Sequence, residues 1–470
     1  KPIIKEGNRF RKVTSFTLNY ELESSSMVQK SRMGKKVFNS VLATGDWYKF
    51  SVDTTGVFKV SRSFLQSLGM NTKGVNPKNL KIYGNGGQML PFRNSEFRYD
   101  DLQENAIVVV GEEDERFDSD DYILFYGEGP QGDIEDQTIN THLNPYTDIT
   151  YYYITTGGSN GKRIQPMVQL TGTANMMIST FNDYQFHEVD DYSLALVGRR
   201  WFGDEFDIET TKTFDFNFPN LITTEPLKLK VIAASTSTSS SNLNINVNET
   251  DVGTLGIPPV NQSLAIEGIF ETTVNTALGD DISVRLNYDN LGNPSSKAYL
   301  DYIVVEGIRA LTFFGEQFSF FNKEATTISG VGLYTLSNTS AVSEVWDVTD
   351  LNTITAIENS NGASSISFKA TLGTLKTFVA VSSLDFYDAL IPANPQVANQ
   401  NIKGTIFNNS QGTFEDIDYL LITTTSHLAQ AERLAQVNRL NNNYNVKVVT
   451  TEAIYEEFST SMRDISAIRN

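Results

Sequence analysis

The chain has 470 residues, 56 acidic against 37 basic side chains, a formal charge of −19 and no cysteine. Its length argues for several cores rather than one, and its acidic balance argues against nucleic acid or an anionic membrane as partner, since both are held by basic patches. The missing thiol excludes a disulfide, a Cys nucleophile or a Cys-ligated metal within these residues, while leaving the compartment open, because exported β proteins also do without disulfides.

No apolar run reaches the roughly eighteen residues that a membrane span needs. The opening KPIIKEGNRF lacks the apolar stretch of a signal peptide, so an exported form is expected to have lost its signal. In the amino-terminal third, Phe16, Leu18, Tyr20 and Leu22 alternate as in a half-buried strand. Residues 47–60 (WYKFSVDTTGVFKV) place two alternating runs about Asp53-Thr54-Thr55-Gly56, which predicts a hairpin. Residues 62–68 read as a short helix ended by Gly69. After 80–83, Gly84-Asn85-Gly86-Gly87 supplies a tight turn before 89–92. Two very apolar strands, 106–110 and 122–126, bracket an acidic loop, and the tyrosine-rich run 144–157 closes the region.

From about Gly198 the pattern is that of a β-sandwich. Phe214, Phe216 and Phe218 alternate, as do Leu227, Leu229 and Val231; Leu243, Ile245 and Val247; Ile282, Val284, Leu286 and Tyr288; and Leu300, Tyr302 and Val304. Alternating strands with turn residues and no helical stretch between them predict two packed antiparallel sheets. The stretch 235–242 (STSTSSSN) reads as an exposed loop. Further strands at 345–350, 364–369 and 377–381 lead to 391–401 (IPANPQVANQN), where two prolines among small polar residues predict a linker.

The last fifty residues change period. Residues 419–423 (YLLIT) read as a strand buried on both faces, Ser426 as a cap, and Leu428, Ala431, Leu434 and Ala435 as the apolar stripe of a helix. The turn-rich NNNYN and a second strand at 446–449 follow. Strand, helix and strand in this space form a βαβ crossover, which predicts parallel strands with Leu428, Ala431 and Ala435 facing them. Such sheets carry their working groups on loops at the carboxyl ends of the strands. With two strands present, most of such a site is expected past Asn470.

Taken in order, GDWYKFSVDTTGVFKV (45–60), FDSDDYILFYGEGP (117–130), NPYTDITYYYITT (144–156), GRRWFGDEF (198–206), VWDVTD (345–350), DYLLIT (418–423) and SAIRN (466–470) resemble the cell-surface sortases of the Bacteroidetes type IX secretion system, a branch of the gingipain-type cysteine peptidases. The resemblance is collinear over nearly the whole chain. It implies a mainly β fold of successive β domains, including a jelly-roll-like β-sandwich, followed by the truncated start of a caspase-like α/β domain. It implies an outer-membrane-associated protein at the cell surface, an outer-membrane barrel partner (PorV-like), and secreted proteins bearing a carboxy-terminal sorting signal as substrates. It implies a Cys nucleophile activated by a His. No position here matches either, so no catalytic, cofactor-binding or metal residue is assigned.

The expected division is an amino-terminal β-rich domain at 1–157, a connecting segment at 158–197, a β-sandwich at 198–310, a small β domain at 311–390, a linker at 391–415 and the peptidase start at 416–470. His427 is expected to face solvent in the first helical turn, and His142 and His187 to lie in polar, loop-like surface segments. Residues 112–121 (EEDERFDSDD) partly fit a calcium loop through Asp114, Phe117, Asp118 and Asp121, but Val110 holds the first ligand position and Glu115 the place of the turn glycine, so a solvated hairpin tip is the expectation. Trp201 and Phe202 are expected to anchor the sandwich to the preceding domain while Arg199 and Arg200 pair locally, the alternative being a recognition surface of Trp201 with Arg199, Arg200, Asp204 and Glu205, and Trp346 is expected in a core. A β-sandwich surface adhesin or carbohydrate-binding protein is the alternative reading, though it leaves the βαβ unit unexplained. A hydrolase with its own site in this chain lacks a nucleophile and base.

Overall fold

The structure, a computed structural model, describes residues 3–6, 9–12, 37–132, 141–194, 198–261, 263–275 and 279–469. The alternating run at 16–22 lies outside them.

The first sandwich packs a five-stranded sheet, ordered Gln396–Val397, Trp47–Val52, Thr150–Thr155, Lys81–Tyr83 and Glu104–Asn105, on a four-stranded sheet ordered Tyr387–Asp388, Gly56–Ser61, Tyr122–Gly127 and Ile107–Val110. Alternate residues of both sheets (Phe50, Val52, Phe58, Val60, Ile123, Phe125, Tyr152, Ile154) meet in one core. The expected hairpin at 47–60 is a correction. Trp47–Val52 pairs with Thr150–Thr155 and Gly56–Ser61 with Tyr122–Gly127, so the turn at 53–55 carries the chain from one sheet to the other. Local turn chemistry is the same in both cases; partners some seventy to a hundred residues away decide. The helix Arg62–Ser67 is capped by Ser61 and ended by Gly69 at φ +89°. Gly87 allows a close approach, since a Cβ there would lie 2.1 Å from both the Gly129 carbonyl and the Thr150 hydroxyl. The turn at 84–87 leads into an irregular segment, and the partner of Lys81–Tyr83 across from the core is Glu104–Asn105.

A ten-stranded sheet forms the middle of the molecule, in the order Gln165–Pro166, Thr355–Glu358, Val342–Asp347, Thr377–Ser382, Phe318–Phe321, Thr180–Glu188, Ala298–Ala310, Leu227–Ser235 and Ile266–Val274, with Gly203–Phe206 also on Ala298–Ala310. One half packs on a four-stranded sheet (Thr211–Asn217, Asp281–Asp289, Ser241–Val247, Thr250–Ile257), burying the expected residues Phe214 to Phe218, Leu227 to Val231, Leu243 to Val247 and Ile282 to Tyr288. The other half packs on a three-stranded sheet (Met176–Ile178, Gly330–Ser337, Ser365–Leu372). Trp346 is fully buried where the ten-stranded sheet meets the first sandwich, among Val57, Leu124, Tyr126, Val348 and Val379.

The expected alternation of Leu300, Tyr302 and Val304 on one face is also corrected. Ile232 pairs with Tyr302 and Ala233 with Leu300, leaving Asp301 as the extra residue of a bulge. Leu300, Ile303 and Val305 therefore face the sandwich core, while Tyr302 and Val304 join Ile232 on the opposite face with Tyr184 and Phe186.

The stretch expected as a linker returns to the first sandwich. Gln396–Val397 adds to Trp47–Tyr48, and the Lys49 amide donates to the Pro395 carbonyl at 2.7 Å. At the end of the chain Tyr419–Thr423 and Val446–Thr450 are parallel neighbours, as the βαβ pattern predicts. The helix Leu428–Asn442 buries Ala435, with Leu428 and Ala431 half-buried and Leu434 exposed. His427, rather than Ser426, occupies its N-cap position, because Thr425–His427 winds as a 3₁₀ turn first. No described helix is long and apolar enough to cross a membrane.

Candidate functional site

Polar side chains distant in sequence meet where the βαβ end rests on the β sheets. The helix Thr451–Phe458 and the turns after it bring Glu456, Glu457, Ser461, Asp464 and Ser466 against groups from the first sandwich, from 199 and from 400–403. Asp464 is fully buried. Its Oδ2 accepts from the Leu90 amide at 2.7 Å, its Oδ1 from the Ser466 amide at 2.8 Å, and Arg199 Nη2 stands at 3.5 Å. Arg199 also donates to Tyr146, to the Leu90 carbonyl and to the Ser466 hydroxyl, and its guanidinium lies over Phe92.

Glu457 is buried and takes the amides of Ile402 and Lys403, each at 2.8 Å, one on each carboxylate oxygen. These are free amides at the start of the single helical turn Ile402–Thr405. Burial raises the Glu457 carboxyl against the pull of those two hydrogen bonds and of Lys403. Nearby, Lys49 Nζ donates to Glu456 at 2.8 Å and to Ser461 at 3.2 Å, and the buried Tyr153 hydroxyl shares a 2.6 Å hydrogen bond with Ser461. Burial, then the Glu456 charge, pushes the Tyr153 phenol well up, so it stays a neutral donor or acceptor. Thr460 and Ser461 both adopt positive φ, at 53° and 63°, a turn that these contacts hold in place.

Arg199 therefore pairs across the fold, against the local pairing expected of it, and reaches Asp464 at a sequence distance of 265. Arg200 pairs with Glu267 at 3.0 Å and with Asp301, and its guanidinium lies over Phe202. Asp204 pairs with His187 at 2.6 Å, and Glu205 with Lys297 at 2.9 Å. Phe202 is buried, and Trp201 is half-buried.

The histidine expectations for 142 and 187 are corrected. His187 lies within the strand Thr180–Glu188, and its side chain is about one-third exposed. His142 is buried. Its Nδ1 is 2.6 Å from Glu188 Oε2, its Nε2 2.6 Å from the Tyr184 hydroxyl, and its ring stacks on Phe186 with centroids 4.3 Å apart. Glu188 also accepts from the His142 amide and the Thr141 hydroxyl. The alternation of Tyr184, Phe186 and Glu188 on one strand face was the signal available in the sequence. The imidazole has no thiol or serine within this network and reads as a structural clasp between the 141–149 loop and the ten-stranded sheet. His427 is exposed, with Nδ1 3.0 Å from the hydroxyls of Thr424 and Ser426.

A carboxylate group surrounds this clasp. Burial, then the Glu188 charge, pushes Asp190 up to about 7 although Arg200 opposes it; burial likewise raises Asp301 against the pull of Arg200. Native Asp190 thus binds its proton more tightly than the unfolded chain, whose carboxyl titrates near about 4. Its contribution to stability is lost as pH rises between those two values, and the cost is complete above about 7. Asp190→Asn should therefore stabilise the protein by about 1–2 kcal/mol at about pH 8, after discounting for solvent screening, with the gain shrinking towards about pH 4. Urea unfolding across that range checks this; a pH-independent difference would remove the explanation.

In the acidic loop, Asp114 accepts from the Arg116 amide and Asp121 from the Asp118 amide, while Glu112 and Glu115 pair with Arg163 and Lys78. Phe117 is buried in the first core, and Glu115 takes φ +64°. Among the described residues no three His, Asp or Glu side chains converge as a metal site would require.

The model of Peptidase family C25 matches residues 413–470. A search of curated protein sequences gives no match. Among solved structures, dimeric latent PorU from Porphyromonas gingivalis superposes with a TM-score of 0.75 at 22% identity, over 93% of this chain and 40% of that one. The carbohydrate-binding module CBM36 bound to calcium and xylotriose covers 20% of this chain and 71% of that one at 15% identity, and the CBM36-1 domain of a xylanase from the hindgut metagenome of Trinervitermes trinervoides covers 23% and 73% at 13% identity. Both have TM-scores of 0.15 and carry no argument. The chain spans two fifths of the PorU chain. It has the PorU fold over that length, and the residues that match the family C25 model lie at its carboxyl end, seated on the β sheets.

Proposed function

We propose that these residues are the non-catalytic amino-terminal region of a PorU-like sortase of the type IX secretion system, at the outer-membrane surface, where the whole enzyme removes carboxy-terminal sorting signals from secreted proteins and attaches those proteins to the cell surface. The observation that carries the reading is the joint one: the PorU fold across nearly the whole chain, with the family C25 match beginning where the β sheets give way to parallel βαβ structure. The role is to hold the peptidase start through Asp464, Glu457 and Ser461, and to dock the enzyme on an outer-membrane barrel partner. The divisions at 157, 197, 310, 390 and 415 are proposed as boundaries along the sequence only, since the ten-stranded sheet draws strands from both sides of 197 and 310 and residues 387–397 return to the first sandwich.

Cysteine-peptidase chemistry needs a thiolate, and residues 1–470 contain none. Incubated with sorting-signal peptides, the 470-residue chain should give no cleavage. Turnover would sink the non-catalytic assignment. The docking role is tested separately, by recovery of the barrel partner with full-length enzyme and with enzyme lacking 1–415; equal recovery would remove it.

A further inference from the structure

The carboxylates around His142 outnumber the cations that answer them. Glu188 stands opposite Tyr302 in the sheet, next to the bulged Asp301, and neither acid exposes more than 1% of its side chain. Arg200 binds Asp301 and, from the edge strand Ile266–Val274, Glu267. The charged groups facing Asp190 are Glu188, Arg200 and Asp191; those facing Asp301 are Arg200, Glu188, Glu267 and Asp190. His142 meets Glu188 from the 141–149 loop. Lys230, from Leu227–Ser235, lies over the Tyr302 ring and pairs with Glu271 at 3.7 Å. Were Glu188, Asp190, Glu267 and Asp301 all ionised, they would share Arg200 and the imidazole, with two of the acids shut off from water. Like charges cannot all persist in such a place, so the closed cluster retains a proton.

The segments that close over this cluster also carry the seat of residues 451–469. Two residues beyond His142, Asn144 donates to the Gly87 carbonyl at 2.9 Å and lies 3.6 Å from Met462 Sδ, and Tyr146 accepts from Arg199 at 2.9 Å. Asp190 and Arg200 belong to one unit, since the Asp191 and Tyr192 amides both donate to the Phe202 carbonyl. Adjacent arginines serve the two places: Arg200 holds Asp301, while Arg199 reaches Asp464, Ser466 and the Leu90 carbonyl. We propose that the carboxylate cluster is a proton-operated clasp on that seat: with its proton in place it fixes the 141–149 loop and the residues around Arg199, and loss of the proton loosens both together with residues 451–469. Burial holds Asp190 at about 7 and Asp301 at about 9, both above the roughly 4 of an exposed carboxyl. Groups raised in the closed state favour closure in acid and lose that effect as pH rises through their own range, so the seat loosens towards alkali.

The inference gives the holding role proposed above a means of regulation and rests on that reading for its meaning in the whole enzyme. Hydrogen exchange of the 470-residue chain between about pH 5 and about pH 9 tests it, read as protection factors so that the intrinsic pH dependence of exchange is divided out. Amides of Thr451–Phe458 and of the 141–149 loop should lose protection together, by about tenfold per pH unit for each proton that loosening releases. The strands Thr211–Asn217 and Asp281–Asp289, in the far sheet of the sandwich, are the reference and should keep theirs. Asp190→Asn should shrink the fall below about pH 7, and Asp301→Asn, which leaves Arg200 its Glu267 partner, should abolish the fall above it. Constant protection of Thr451–Phe458 across the range, an equal fall in the reference strands, or an undiminished fall in both variants would each overturn the proposal. Because this readout is internal to the chain, any of these results leaves the cleavage and docking tests to be decided on their own.

Discussion

Asp464→Ala is expected to release residues 451–469 from the β sheets and to lower stability by about 3–5 kcal/mol, the range found when one partner of a buried charged pair is removed. The carboxylate has no exposed surface and receives the Leu90 and Ser466 amides as well as Arg199. Its loss strands a guanidinium that is itself only 12% exposed, together with two amides. Removing Arg199 as well takes away the stranded charge, so the Arg199→Ala and Asp464→Ala double variant should lose less than the two single losses added. Thermal unfolding gives the magnitudes, and limited proteolysis reports whether 451–469 has come loose. Full additivity, or wild-type protection of that segment in Asp464→Ala, would show that the seat is held by something else.

Trp346→Ala should lower stability by a comparable amount, about 3–5 kcal/mol, through the cavity left by a fully buried indole. The location makes the consequence specific. Trp346 stands among Val57, Leu124 and Tyr126 of the first sandwich and Val348, Val379 and Val381 of the ten-stranded sheet, so its core joins two bodies that each have another core of their own. The variant should therefore broaden or divide the denaturant transition, with the ring current and fluorescence changes of the two bodies separating. Trp346→Phe, which refills most of the space, should restore a single transition. A variant that unfolds in one step at the wild-type midpoint would place the coupling elsewhere.

Much of this fold was legible because burial on one face enforces a period of two. Phe214, Phe216 and Phe218, or Ile282, Val284 and Leu286, declare their strand and their inward face without reference to a partner. The parallel pair at the end was legible for a related reason, since a helix between two β-branched runs leaves few topologies. Partner choice was not legible. The turn at Asp53-Thr54-Thr55 has hairpin chemistry, yet its flanking strands take their neighbours from 122–127 and 150–155. The bulge at Asp301 depends on Arg200, a hundred positions earlier, and reverses the facing of Tyr302 and Val304. His142 was misplaced for the same reason: Glu188 and Tyr184, which make burial of an imidazole affordable, are more than forty residues away. The seat of Asp464 carries no local motif at all. It is a set of ordinary polar residues given meaning by distance in sequence and nearness in space.

The return of Tyr387–Asp388 and Gln396–Val397 to the first sandwich has a consequence for biosynthesis. Those two short strands lie at one margin of each sheet, on Gly56–Ser61 and on Trp47–Val52. Until a ribosome has made residue 397, both margins present unpaired amides and carbonyls next to some of the most apolar strands in the chain, the kind of surface that recruits another copy. Nascent chains elongate from the amino end, so a body whose other strands are complete by Thr155 is sealed only after more than two hundred further residues. A cell producing this protein must keep that intermediate apart from its neighbours for the time it takes to translate more than two hundred further residues, and a fragment ending before 387 inherits the same open margins permanently.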